Sequence, residues 1–183
     1  MRVMVVIAST RVGRVGGPVG DWVAQAARQA GDVEVDVVDL AAFVLPMLAE
    51  PNHPRLKQYT SELTWEWSRR VEAVDAVIFV LPEYNHSYSA PLKNAIDHLH
   101  GEWAGKPVGL VSYGGLSGGT RAVIALQPVL VNLGMRILSA NVEIAWVAEH
   151  VVEGVFLPSE RHERALASQL AELAALVPAV DVA

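Results

Sequence analysis

Three stretches of this chain carry residues whose types and spacing suit chemistry. The first is Ala8-Ser9-Thr10-Arg11-Val12-Gly13-Arg14-Val15-Gly16-Gly17-Pro18, lying between a short apolar run and a longer amphipathic stretch. Where a strand turns into a helix, free backbone amides and the helix dipole together suit a phosphate. Ser9 and Thr10 add hydroxyl donors, Arg11 and Arg14 add the stronger charge-assisted donors, and Gly13 lets an anion approach the backbone around Val15. The competing reading is an ordinary turn with solvent-exposed arginines.

The second stretch is Leu81-Pro82-Glu83-Tyr84-Asn85-His86-Ser87. Pro82 stiffens it, the amides from Glu83 onward can face a flat heterocycle, Tyr84 can stack or form a wall, and Asn85 both donates and accepts. The third is Ser112-Tyr113-Gly114-Gly115-Leu116-Ser117-Gly118-Gly119-Thr120-Arg121, where four glycines admit a planar ligand close to the main chain. Ser112, Tyr113, Gly114 and Gly115 are its stronger candidates, since Gly118 and Gly119 also suit a plain loop before a helix.

Other phosphate loops are excluded by spacing. No Lys-Ser or Lys-Thr completes a P-loop, and Gly13, Gly16, Gly17 and Gly20 do not fall at the G-x-G-x-x-G spacing. Asp39 stands where a ribose-binding acid would lie, but it reads equally as a polar residue ending a strand.

Short β-branched runs at Val3–Ala8, Val33–Val38, Ala76–Leu81, Val108–Ser112 and near Ile137–Ile144 predict strands with little polar alternation, as parallel strands covered on both faces require. Helical patterns at Pro18–Ala30, Glu62–Ala73, Ala90–Leu99, Thr120–Leu133 and Glu160–Leu176 separate or follow them. Pro91 suits a first helical turn, Gly31 a helix end, and Ser159 an N-cap before Glu160 and Glu163. Right-handed crossovers then give an α/β doubly wound parallel sheet. In strand order 2-1-3-4-5 the first and third strands flank the switch point, so the first two motifs share one crevice. Phe43–Tyr59, with Pro46, Pro51 and Pro54, predicts a long functional or interfacial loop, and the tail Val177–Ala183 a frayed end.

The 183 residues, 52% hydrophobic and 19% charged, predict one folded domain over 1–183. A net charge of −6 speaks against a nucleic-acid partner. Zero cysteines exclude disulfides and thiolate chemistry and fit a reducing cytoplasm. The apolar opening is too brief to span a bilayer, so no membrane association is expected.

With these motifs in order along most of the chain, the sequence resembles the NADPH-dependent FMN reductase family, flavodoxin-like proteins that include quinone, azo-dye and chromate reductases. The resemblance rests on Ser9-Thr10-Arg11-Val12-Gly13-Arg14, on Pro82-Glu83-Tyr84-Asn85 continuing into Pro91-Leu92-Lys93-Asn94-Ala95-Ile96-Asp97, and on Lys106-Pro107-Val108 leading to Ser112-Tyr113-Gly114-Gly115. It implies FMN as cofactor and NADPH or NADH as co-substrate. Hydride would pass to flavin N5 and on to a quinone, flavin or similar small acceptor. It also implies that Ser9, Arg11 and the amides around Gly13–Val15 hold the phosphate, that Pro82–Asn85 line the isoalloxazine, and that Ser112–Gly115 complete the pocket. Many members carry serine where Arg14 stands, so Arg14 is read either as an outer phosphate contact or as a contact to the 2′-phosphate of NADPH. A homodimer or homotetramer is implied, with Pro91–Leu99 and Phe43–Tyr59 as interface elements.

The cofactor carries the chemistry, so no catalytic acid, base or nucleophile is assigned, and no metal. His98-x-His100 does not aim two rings at one ion from a helix, and Ser112 lacks a nucleophile elbow. Trp65 and Trp67 read as an aromatic patch. Trp103 packs on its loop or closes over a neighbouring subunit's flavin, and Arg121 reads as a structural or interface residue. The competing class is a flavodoxin-type electron-transfer protein with a protein partner. Two arginines in the phosphate loop and a moderate charge rank it second.

Overall fold

The computed structural model describes residues 1–177; the expected fraying of the tail falls, from residue 178 on, outside them. Strands β1 (Arg2–Ile7), β2 (Glu34–Asp39), β3 (Ala76–Pro82), β4 (Pro107–Tyr113), β5 (Arg136–Ile137) and β6 (Val142–Ile144) form one sheet. Its order is β2-β1-β3-β4-β5, with β6 also pairing β4, and every one of these pairings is parallel. This is the expected 2-1-3-4-5 flavodoxin-like order. The single fifth strand expected near Ile137–Ile144 is two short pieces on β4, because residues 138–141 leave the ladder between them. A hairpin of β7 (Val151–Val152) and β8 (Val155–Phe156) follows. Its turn places Glu153 and Gly154 both at positive φ, as a two-residue hairpin loop requires.

Helices α1 (Gly16–Gln29), α2 (Glu62–Glu72), α3 (Ala90–Asp97), α4 (Thr120–Asn132) and α5 (Glu160–Leu176) cover both faces. Alternate residues of β1 sort into two cores. Met4 and Val6 pack with Trp67 and Val71 of α2, Leu92 and Ile96 of α3, and Leu126 of α4. Val3 and Val5 pack with Val19 and Val23 of α1 and with Leu166 and Leu170 of α5. Each such side chain, fully buried, contributes about 1.5–3 kcal/mol. Both faces of β3 are therefore apolar, and all its residues are buried. Ser159 caps α5 in a box whose second member is His162, not a glutamate: Ser159 Oγ accepts from the His162 N–H, and His162 Nδ1 accepts from the Ser159 N–H.

Three of the five tryptophans are structural. Trp67 and Trp103 are fully buried, with ring centroids 5.8 Å apart, and their indoles donate to the Ala95 and Ile96 carbonyls. Trp103 is thus a core residue and has no surface to offer a neighbouring subunit's flavin. Trp65 packs edge-on against Tyr59 at 5.1 Å.

The long loop after β2 is fastened from three sides. Asn94 of α3 accepts from the Leu48 N–H at 2.9 Å and donates to the Pro46 carbonyl at 2.9 Å. His98 Nε2 lies 3.0 Å from the same carbonyl, which can only accept, so Nε2 carries the proton and Nδ1 accepts from the Thr64 hydroxyl at 3.2 Å. Glu50 accepts from the Thr60 N–H and hydroxyl and from the Ser61 N–H just ahead of α2. Burial alone would raise the Glu50 carboxyl, but these hydrogen bonds outweigh it and hold its pKa at about 2. Among the described residues, no helix is long and apolar enough to cross a membrane.

Candidate active site

The carboxyl ends of β1, β3 and β4 lie level. Ile7 stands opposite Val80, Leu81 opposite Ser112, and Pro82 opposite Tyr113. The three motif loops therefore open on one edge of the sheet. They enclose a cavity of about 200 Å³. The first loop lines it with Ser9, Arg11, Gly13, Arg14 and Val15, the second with Pro82, Glu83 and Tyr84, the third with Tyr113 and Gly114. The crevice inferred from strand order is present at that place.

The first loop ends in α1 without a side-chain cap: Val15 occupies the cap position and offers no hydrogen bond. The amides of Gly16 and Gly17 thus have no intrahelical acceptor, and the positive end of the helix dipole is open beside the cavity. Gly16 is required for packing. A Cβ there would lie 2.2 Å from the Tyr113 hydroxyl, so β4 and α1 meet with no room for a methyl group. Ser9 is fully buried, and its Oγ lies 2.7 Å from the Tyr84 hydroxyl, tying the first loop to the second. The Arg11 guanidinium sits 5.6 Å from the Tyr84 ring centroid, a cation–π distance. Tyr84 is a strut with Arg11 on its face, spanning the two loops. Thr10 turns out of this cavity and lines a neighbouring apolar groove with Leu40, Phe43 and Met47.

Tyr113 is buried, and its hydroxyl has no hydrogen-bond partner among the described residues. Burial, reinforced by nearby Tyr84, pushes its pKa well above the usual tyrosine range, so the hydroxyl remains a neutral donor. Arg14 is committed elsewhere. Its guanidinium pairs with Asp39 at the end of β2, whose other oxygen accepts from the Ala41 N–H at 3.0 Å.

The second and third loops are joined by Glu83. Its carboxylate accepts from Arg121 Nε at 2.6 Å, from the Arg121 N–H at 3.2 Å and from the Ser117 hydroxyl at 2.7 Å. Burial works against this charge, but the Arg121 and Ser117 hydrogen bonds prevail and lower its pKa. Arg121 is thus a structural arginine of the site. Asn85 and His86, both at positive φ, form the exposed tip of a turn closed by mutual Tyr84–Ser87 backbone bonds, which places Asn85 outside the cavity lining. Ser112 is fully buried beneath the third loop and donates to the Gly118 carbonyl at 2.9 Å. Gly119 lies over it at φ 90°, where a Cβ would come 2.7 Å from Ser112 Cβ. Gly115 is exposed at the rim beside Trp146.

Val12 of the first motif is fully exposed at the mouth, and one lining residue escapes the motifs. Val147 comes from the segment after β6, which the Val147 N–H bonds to the Gly114 carbonyl at 3.1 Å and the Trp146 N–H bonds to the Gly115 carbonyl at 3.0 Å. Trp146 itself is held at φ 50°, half exposed, at the rim. Nothing in the local sequence marks these residues, because they are brought to the site by pairing with a loop some thirty residues earlier.

The family model for NADPH-dependent FMN reductases matches residues 1–149. The chain belongs to this family. An NAD(P)H-dependent FMN reductase of Schizosaccharomyces pombe is 35% identical over 160 residues, covering 86% of this chain and 80% of that protein. An NADPH:quinone oxidoreductase of Arabidopsis thaliana is 38% identical over 74 residues, 39% of this chain and 38% of that one. Among solved structures, the flavoenzyme NAD(P)H:(acceptor) oxidoreductase FerB of Paracoccus denitrificans superimposes with a TM-score of 0.75 over 96% of each chain at 24% identity, a likeness of fold. Membership makes the chain an FMN-dependent NAD(P)H oxidoreductase, and the flavodoxin-type electron carrier with a protein partner gains no support from the family.

Proposed function

We propose that residues 1–183 act as one domain that holds FMN on the three loops described above and oxidises NAD(P)H in favour of a quinone, a flavin or a similar small acceptor. The observation that carries this reading is the convergence of the uncapped start of α1, the first-loop main chain and Arg11 on one cavity at the carboxyl edge of the sheet. The donor set suits FMN. Two open helix amides and a guanidinium suit a phosphate.

When bound, FMN would supply the redox chemistry, accepting hydride from NAD(P)H and returning electrons to the acceptor. The chain supplies binding, orientation and charge. Arg11, the amides around Gly13–Val15 and those opening α1 would hold the phosphate. Pro82 and Gly114 present main chain to the flat ring system. Glu83 holds the second and third loops at fixed separation through Arg121 and Ser117. Tyr84, braced on Ser9, sets the spacing between first and second loops.

The acceptor reading draws on the quinone-reductase relative and on the apolar groove of about 330 Å³ beside the site, lined in part by Leu40, Phe43, Val44 and Met47. The same surface supports a homodimer or homotetramer: Val44, Met47 and Leu56 are largely exposed on the loop that α3 anchors. A cytoplasmic location rests on the cysteine-free composition. Steady-state oxidation of NADPH with a benzoquinone tests the activity. The reading requires an FMN-dependent rate and parallel double-reciprocal lines, since donor and acceptor would use one site in turn. A rate indifferent to added or removed FMN would refute it.

A further inference from the structure

The phosphate loop contains a feature opposed to tight binding. Arg14 lies on that loop and lines the cavity, yet its guanidinium is paired with Asp39, which does not. Asp39 ends β2, the strand on the far side of β1 from β3 and β4, whose loops would receive the flat ring. The pair therefore ties the second loop arginine to β2 at the edge of the cavity. It also leaves Arg14 Nε buried without a hydrogen-bond partner among the described residues. Asp39 is fixed in turn, because its second carboxylate oxygen accepts from the Ala41 N–H. Of the four side chains the sequence offers to a phosphate, Ser9 is bonded to Tyr84, Thr10 faces the adjoining groove and Arg14 is held by Asp39. Arg11 alone stands over the cavity with no acidic partner among the described residues.

We propose that Asp39 is an affinity-limiting residue: by sequestering Arg14 it keeps FMN binding weak enough for the flavin to exchange with solution. This rests on the placement of the FMN phosphate at the first loop. A dianion at the loop would meet one free arginine, the helix amides and, close by, a carboxylate whose charge is only locally cancelled.

The test is direct titration of apoprotein with FMN and with riboflavin, followed by flavin fluorescence, with the FMN dissociation rate measured by exchange. Riboflavin lacks the phosphate, so it reports on the ring pocket alone. In Asp39→Asn the amide oxygen still accepts from Ala41, while Arg14 is released toward the phosphate. The expected result is an FMN dissociation constant lower by about tenfold or more, the scale of one added charge-assisted hydrogen bond, with slower release and riboflavin unchanged. The double variant Arg14→Ala with Asp39→Asn removes a neutral pair and should bind FMN within about twofold of wild type. If D39N binds FMN no better than wild type, or worse, while riboflavin is unaffected, Asp39 does not limit affinity and the inference is overturned. If D39N loses both flavins, the pair is a structural brace and the inference fails equally. If wild-type protein binds riboflavin as tightly as FMN, the phosphate placement itself is wrong and the inference falls with it.

Discussion

Arg11 and Arg14 are three residues apart and chemically alike, yet the fold gives them different partners. Arg11 lies over Tyr84 at the cavity, whereas Arg14 is tied to Asp39. The motif spacing alone marks both as phosphate donors. It does not disclose Asp39 as a competitor, because the contact depends on β2 lying beside β1. Arg11→Ala is expected to raise the FMN dissociation constant by about tenfold or more, the scale of a lost charge-assisted hydrogen bond of about 1.5–3 kcal/mol. Riboflavin binding should change little. Equal losses for both flavins in fluorescence titrations would mean that Arg11 supports the ring pocket instead. Glu83 is the other residue whose surroundings single it out. Its three hydrogen bonds fasten the glycine-rich third loop, and a glutamine can satisfy only part of that set. Glu83→Gln should accelerate amide exchange across residues 115–121 by about tenfold, leaving β3 and β4 protected. Unchanged exchange there would show that the clamp does not hold the loop.

At the scale of elements, periodicity was enough to place all five helices within a few residues and four strands at nearly their observed bounds. Unbroken apolar runs such as Ala76–Pro82 have few alternatives once both faces are covered. The fifth strand was less legible because its two pieces are two and three residues long, too short to carry a pattern. The hairpin after it is equally short, and its Glu153-Gly154 turn is the only local signal. The long loop after β2 read as irregular, and it is; what sequence withheld was its anchorage by Asn94, His98 and Glu50. The Glu50 anchor is pH-dependent. Its carboxyl titrates at about 2 in the folded chain against an ordinary value of 4.5, so its stabilising contribution is complete above about 4.5 and is lost as pH falls toward 2. Thermal melts of wild type and Glu50→Gln should therefore differ most at neutral pH, with wild type the more stable, and converge below pH of about 2. Curves that stay parallel through the acid range would contradict the assignment.

The whole molecule joins a sheet order, which fixes where three loops meet, to a family whose chemistry belongs to a flavin. Ten of the fourteen residues singled out from sequence line the resulting cavity. The other four, Thr10, Asn85, Ser112 and Gly115, sit beside, beneath or at the rim of it, since a motif marks a stretch of chain while the fold decides which side chains turn inward. The exposed Val44, Met47 and Leu56 lead to the expectation that sedimentation velocity will show a dimer or larger assembly at micromolar concentration. Met47→Glu should shift it toward monomer, and a monomeric wild type would remove that surface from the account. The central claim is FMN-mediated oxidation of NAD(P)H at the strand edge, and anaerobic stopped-flow mixing of FMN-loaded protein with NADPH, and separately with NADH, tests it most directly. The expected result is rapid loss of the oxidised flavin absorbance with at least one nicotinamide and its return when a quinone is added. Flavin absorbance that stays unchanged with both donors would contradict it.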